Sequence, residues 1–167
     1  MDKEYSFKES LALVKNLLKQ KAHPTQKHLI PGSVLMYKYN AKDKEKRYDR
    51  TPLTMVLSKS KTYMLGLNLH WCPYPMRVTL IKAFFKINKK NIKDQKPLEL
   101  DYKMIKPYLK RLGYFPVIRL YIRKRMSAGA IIIPPERLLE VAKTKSETFT
   151  GGVSAEKLYS KAKKGKI

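Results

Sequence analysis

Cysteine is all but missing from this 167-residue chain: Cys72 stands alone, which excludes an intramolecular disulfide framework and any multi-cysteine zinc site. Acidic residues are scarce too, 13 Asp or Glu against 37 Lys or Arg, and the formal charge is +24. No uncharged run approaches the roughly 20 residues that a membrane helix requires. The opening Met1-Asp2-Lys3-Glu4-Tyr5 leads into no apolar stretch of the kind a secretory signal needs. These absences predict a protein of a reducing compartment, neither membrane-spanning nor exported by a standard signal.

Apolar material, by contrast, is plentiful. A hydrophobic content of 43% with 11 Tyr, 5 Phe and 1 Trp excludes a disordered, protamine-like polycation. So large a surplus of one sign repels itself in a compact body and is normally offset by a polyanion. Nucleic acid is the leading partner, with anionic membrane surfaces and acidic proteins as alternatives. The basic residues are not confined to one juxtamembrane cluster or one amphipathic helix, which weighs against surface anchoring. Solubility alone needs less charge than this.

Ser6 to Gln20 reads as an amphipathic helix with Leu11, Val14 and Leu18 on one face and Leu17 beside it, opened by a Ser6/Glu9 capping box. Lys21 to Gly32 is a connector. Three antiparallel strands follow, SVLMYKY, LTMVLSK and TYMLGLNLH, forming a small meander or an SH3-like barrel. The first connection between them carries Lys42, Lys44, Lys46, Arg47 and Arg50, a basic arm able to reach a phosphate backbone. Pro73-Tyr74-Pro75 starts a helix over Met76 to Asn88 with Met76, Leu80, Ala83, Phe84 and Ile87 along one stripe and Arg77, Lys82 and Lys86 projecting from other parts of the surface. A further helix covers Asp101 to Leu112, weakened by Pro107 and capped by Gly113.

Val117 to Met126 alternates as a strand, with Val117, Arg119, Tyr121, Arg123 and Arg125 on one side. A turn at Ser127-Ala128-Gly129 and a return over Ala130 to Ile133 complete a C-terminal hairpin, and a helix follows near Glu136 to Thr144. The fold class is therefore α+β: a small antiparallel SH3-like or meander β-unit flanked by helices, then the hairpin, a helix and a basic tail. The boundaries fall at 1–32 for the N-terminal helix and connector, 33–145 for the globular domain and 146–167 for a flexible basic tail.

Arg119, Tyr121, Arg123 and Arg125 form the strongest chemical signal, because guanidiniums fork onto phosphate oxygens and a tyrosine ring stacks on a base. Their alternative is an exposed strand face paired with local carboxylates, for which 13 acids among 37 bases leave few partners. Lys161, Lys163 and Lys164, with Lys157 and Lys166, add diffuse attraction by counterion release or remain a solvated tail. His23, His28, His70 and Cys72 have poor spacing for a metal, and Cys72 beside Trp71 reads as packing. The nearest suggestive cluster for a magnesium-dependent nuclease is Glu99, Asp101 and Lys103, and no paired acidic motif supports it. Gly151-Gly152 lacks the lysine and helix of a phosphate-cradling loop. No catalytic residue, metal or cofactor is implied.

Met36-Tyr37-Lys38-Tyr39, the Lys-rich loop, Tyr48-Asp49-Arg50 with Pro52-Leu53, Leu65-Gly66-Leu67-Asn68-Leu69-His70-Trp71 and Arg77 form a set of shared features. Through them the chain resembles, over residues 31–87 and more loosely 98–145, the DNA end protectors, small proteins of large T4-like tailed bacteriophages. The resemblance implies a virion or packaging protein that binds linear duplex DNA or its ends without enzymatic activity. It also implies other phage structural proteins as partners, no membrane, and location in the virion and, during assembly, the host cytoplasm. A structural role at the portal, neck, tail or baseplate, with the basic face on an acidic subunit, is the alternative. A symmetric homo-oligomer would leave no mark in one chain.

Overall fold

Ser6 caps the first helix as the sequence spacing predicts: Ser6 Oγ accepts from the Glu9 amide, and Glu9 Oε2 accepts from the Ser6 amide at 2.7 Å. The computed structural model describes residues 5–41, 49–94, 96, 99–111, 113, 117–144 and 155–164. Helix α1 spans Phe7–Leu18 and buries Leu13 and Leu17. The side chains of Leu11, Val14 and Leu18 lie outside the described residues, as does the arm with Lys42, Lys44, Lys46 and Arg47.

The protein is α+β. Among the described residues six strands, β1 (His23–Pro24), β2 (Val34–Tyr39), β3 (Leu53–Lys59), β4 (Tyr63–Asn68), β5 (Ile118–Ile122) and β6 (Met126–Ile133), form one antiparallel sheet in the order β1-β6-β2-β3-β4-β5. The three runs read as a meander are β2, β3 and β4, paired in sequence order.

The sheet is strongly curled. In a flat sheet β2 and β5, three positions apart, would be separated by about 14 Å. Instead the Tyr39 and Tyr121 rings meet edge to face at 5.0 Å, and Tyr39 OH accepts from the Ile122 amide at 3.2 Å. Register shifts at Tyr37/Tyr39 and Val56/Ser58 supply local bends. The concave side is filled by Leu29, Leu35, Tyr37, Val56, Met64 and Tyr121. The convex side, through Val34, Leu53, Met55, Leu67 and Ile133, packs on the helices.

Those helices are α2 (Tyr74–Ile87), α3 (Lys89–Lys93), α4 (Tyr102–Arg111), α5 (Leu138–Ala142) and α6 (Ala155–Lys163). Leu80, Ile81 and Phe84 of α2 and Leu138 and Val141 of α5 join Leu13 and Leu17 in the convex core. α4 contains Pro107, and Gly113 beyond it takes a positive φ of 76° that a side chain would strain. Gly66 answers a different constraint: a Cβ there would collide with Thr54 Cγ2 of the neighbouring strand.

Three expectations are corrected. The C-terminal hairpin does not form: β5 pairs with β4, β6 pairs with β2 and β1, and the two lie near opposite ends of the strand order. The alternating segment breaks because Arg123–Arg125 form a 3-10 turn, held where the Arg123 amide bonds Thr62 O at 3.0 Å. Ser127-Ala128-Gly129 is strand, not turn, since β1 pairs there through Pro24 and Gly129. Finally, the stretch expected to be a flexible tail contains α6, whose Tyr159 hydroxyl donates to Gly113 O while its ring packs on the convex core.

Candidate nucleic-acid interface

Strand parity places Arg119 and Tyr121 on one side of β5, and the curl makes that side the interior. Tyr121 is 5% exposed, so its ring offers no face to a base. Its hydroxyl accepts from Asn68 Nδ2 at 2.9 Å. Half-buried Arg119 stacks with Cζ 4.1 Å from the centre of the Trp71 ring, and burial lowers its pKa despite the opposing pull of Tyr121.

Arg123 Nε donates to Gln26 Oε1 at 2.8 Å, and its Nη1 to the carbonyls of Ser60 and Lys61 at 2.6 and 3.2 Å. Arg125 Nη1 reaches the carbonyls of Asn40 and Ala41 at 3.3 and 3.4 Å. The predicted four-residue stripe is therefore not a surface: a buried ring and three half-buried guanidiniums lock strands and turns together. Arg77, expected to project from α2, is also interior at 2% exposure, with Nη1 donating to Thr144 O.

Arginine suits this work because its planar fork satisfies several fixed carbonyls at once. Lysine takes the opposite role. Lys82, Lys86, Lys89 and Lys93 stand at i, i+4, i+7 and i+11 along α2 and α3, all exposed. Asn88 interrupts the helix only briefly, since its amide bonds Phe84 O and its carbonyl accepts from the Ile92 amide. Exposed Lys103, Lys106 and Lys110 stand at i, i+3 and i+7 on α4, and Lys157 and Lys161 at i and i+4 on α6, with Lys163 at its end and Lys164 just beyond it also exposed. Arg50 is exposed at the end of the basic arm. The row on α2 and α3 makes no ion pair among the described residues; Lys96 pairs with Asp94 and Arg137 with Glu140 elsewhere. Helical spacing carried this signal in the sequence, beyond the Lys82 and Lys86 already marked.

Under the sheet's concave side lies a polar network. Asp49 Oδ2 sits 2.7 Å from His70 Nδ1 and accepts from Asn68 Nδ2 at 3.3 Å, while Oδ1 accepts from the Thr51 amide at 3.0 Å. A carboxylate only accepts, which assigns the proton to Nδ1. Asn68 Oδ1 accepts from the His70 amide at 2.9 Å, fixing the turn between β4 and α2. Glu99 and Asp101 are exposed; the Glu99 amide donates to Asn88 Oδ1, and Asp101 Oδ1 accepts from the Lys103 amide. Among the described residues no group of three His, Cys, Asp or Glu is placed to hold a metal ion. No described helix is long and apolar enough to cross a membrane.

The buried hydroxyls and thiol make alkaline stability testable. Burial, reinforced by the charge of Tyr121, raises Tyr37 well above its ordinary 10.0. Burial and then the negative Asp49 raise Tyr121, and burial pushes the Cys72 thiol up to about 12 against the pull of Arg77. Above the unfolded values the unfolded chain releases these protons while the folded protein keeps them, so stability declines as pH rises. Their contribution is complete below about pH 8 and is lost progressively from about pH 9 upward. The urea midpoint should fall between about pH 9 and 11, and Tyr37→Phe should reduce that fall. A midpoint flat across the window would show that these groups ionise freely in the fold.

Comparison with family models, with curated proteins and with solved structures finds no match to this chain.

Proposed function

We propose that this is a non-enzymatic, sequence-independent DNA-binding protein of a tailed bacteriophage, binding or protecting DNA ends during packaging or in the virion. The observation that carries the binding is the exposed row Lys82, Lys86, Lys89 and Lys93. At 1.5 Å per residue it runs about 16 Å. One strand of a duplex presents a phosphate about every 3.4 Å of axis, so the row can follow a single backbone. Ammonium groups on flexible stems meet phosphates and read no base edges, which fits indifference to sequence. The phage setting rests on the resemblance in residues 31–87. The order β6-β2-β3-β4-β5, with a 3-10 turn between β5 and β6, supports the SH3-like reading of the sheet.

Changing all four lysines to alanine should weaken binding to unrelated duplexes alike and flatten the log K versus log salt slope by at most about 3.6, at roughly 0.9 per phosphate contact. An unchanged slope removes this row from the interface. Linear and circular DNA compared over the same salt series test the end preference, which requires discrimination between them.

A further inference from the structure

We infer that the outer edge of β5, unpaired among the described residues, accepts an extended, acidic segment of a partner protein as a seventh strand. This goes beyond DNA binding and uses another surface. The Tyr63 amide and carbonyl bond Ser60, on the hairpin side of β4, so Tyr63, Leu65 and Leu67 direct their backbone groups toward β3. Met64 and Gly66 therefore face β5 and bond Tyr121 and Arg119, their register partners. The alternation leaves Ile118, Leu120 and Ile122 pointing outward. The bonds beyond the pairing agree: the Arg123 amide turns inward to Thr62 O, and the Ile122 amide turns outward to Tyr39 OH. The amides and carbonyls of Ile118 and Leu120 have no strand beside them among the described residues.

Side chains at this edge are apolar where water would favour polar ones. Leu120 is 60% exposed and Tyr63, opposite Ile122, is 42% exposed. Folded proteins normally blunt such an edge with a charge, a proline or a covering element. Exposed Lys61 and Lys124 flank its end, on a chain of net charge +24. A second copy would bring like charge to the edge. An alternating strand with apolar residues toward Leu120 and Tyr63 and carboxylates toward the lysines supplies both complements.

The probe is a synthetic peptide, Glu-Val-Glu-Val-Thr-Val-Glu, titrated by fluorescence anisotropy onto the full chain, with hydrogen exchange read at each amide. Binding should protect the Leu120 amide and weaken at least about tenfold when alternate peptide amides are N-methylated. Leu120→Glu, at an exposed position, should weaken it similarly, and Leu120→Val should retain it. Overturning results are no binding, equal binding of an oligoglutamate of the same charge, binding without protection at Leu120, or a stable dimer in ultracentrifugation that Leu120→Glu dissolves. None of these bears on the lysine row, whose test is the salt slope on DNA.

Discussion

Asp49→Ala is expected to lower the unfolding free energy by about 3–5 kcal/mol, read as a lower denaturant midpoint at unchanged slope. Asp49 is buried, and its two oxygens receive the Thr51 amide, Asn68 Nδ2 and His70 Nδ1. Alanine takes the acceptor from all three: it leaves buried His70 Nδ1 without this partner, reduces Asn68 Nδ2 to its bond with the Tyr121 hydroxyl, and frees the half-buried Thr51 amide. The damage spreads, because Asn68 also holds the Tyr121 hydroxyl and the His70 amide, and Tyr121 is the ring against which the curled sheet brings Tyr39. Asp49→Asn keeps the shape and one acceptor but turns an NH2 toward at least one donor, so about 1–3 kcal/mol is expected. The order, alanine worse than asparagine, distinguishes a lost network from a lost volume. In a double-mutant cycle Asp49→Ala and His70→Ala should be non-additive by about 0.5–3 kcal/mol. Additive effects would mean that the short contact contributes nothing to stability.

What the sequence made legible, and what it hid, divides along one physical line. Local signals worked: the Ser6/Glu9 spacing gave α1 its cap, Pro75 lies at the start of α2, and period-two runs became β2, β3 and β4. Parity also worked for β5, since Arg119 and Tyr121 do share a side. Parity cannot say which side meets water, and on β5 the curl buries the side that carries Tyr121 while Leu120 on the other is 60% exposed. The arginines therefore looked like an exterior while serving as fasteners. The partner of each is remote in sequence: Arg123 holds Ser60 and Gln26, and Arg125 holds Asn40. No local pattern encodes such pairings. The lysine row on α2 and α3 was legible in principle, because helical spacing alone places Lys82, Lys86, Lys89 and Lys93 together. A helix read as stopping at Asn88 separates Lys82 and Lys86 from Lys89 and Lys93, whereas α3 continues the turn and completes the row.

Arg77 yields the second large effect. Its guanidinium lies inside the convex core region, donates to Thr144 O just beyond α5, and stands 5.8 Å from the centre of the Tyr74 ring. It thereby ties α2 to the carbonyl end of α5, where a cation also meets the negative end of the helix. Arg77→Ala removes the stem's packing and leaves that carbonyl unsatisfied, and a loss of about 4 kcal/mol is expected from the two effects together. Arg77→Met retains most of the apolar stem while deleting the donors, so about 1–3 kcal/mol should be lost. Hydrogen exchange separates the two contributions: in Arg77→Met the amides of 138–144 should open first, while those of β3 and β4 keep their protection. If instead both variants unfold as readily as one another, the donors carry the whole effect and the stem's packing carries none. If methionine is as stable as arginine, the buried guanidinium has no structural role, and the contrast between fastening arginines and outward lysines fails at its most buried example.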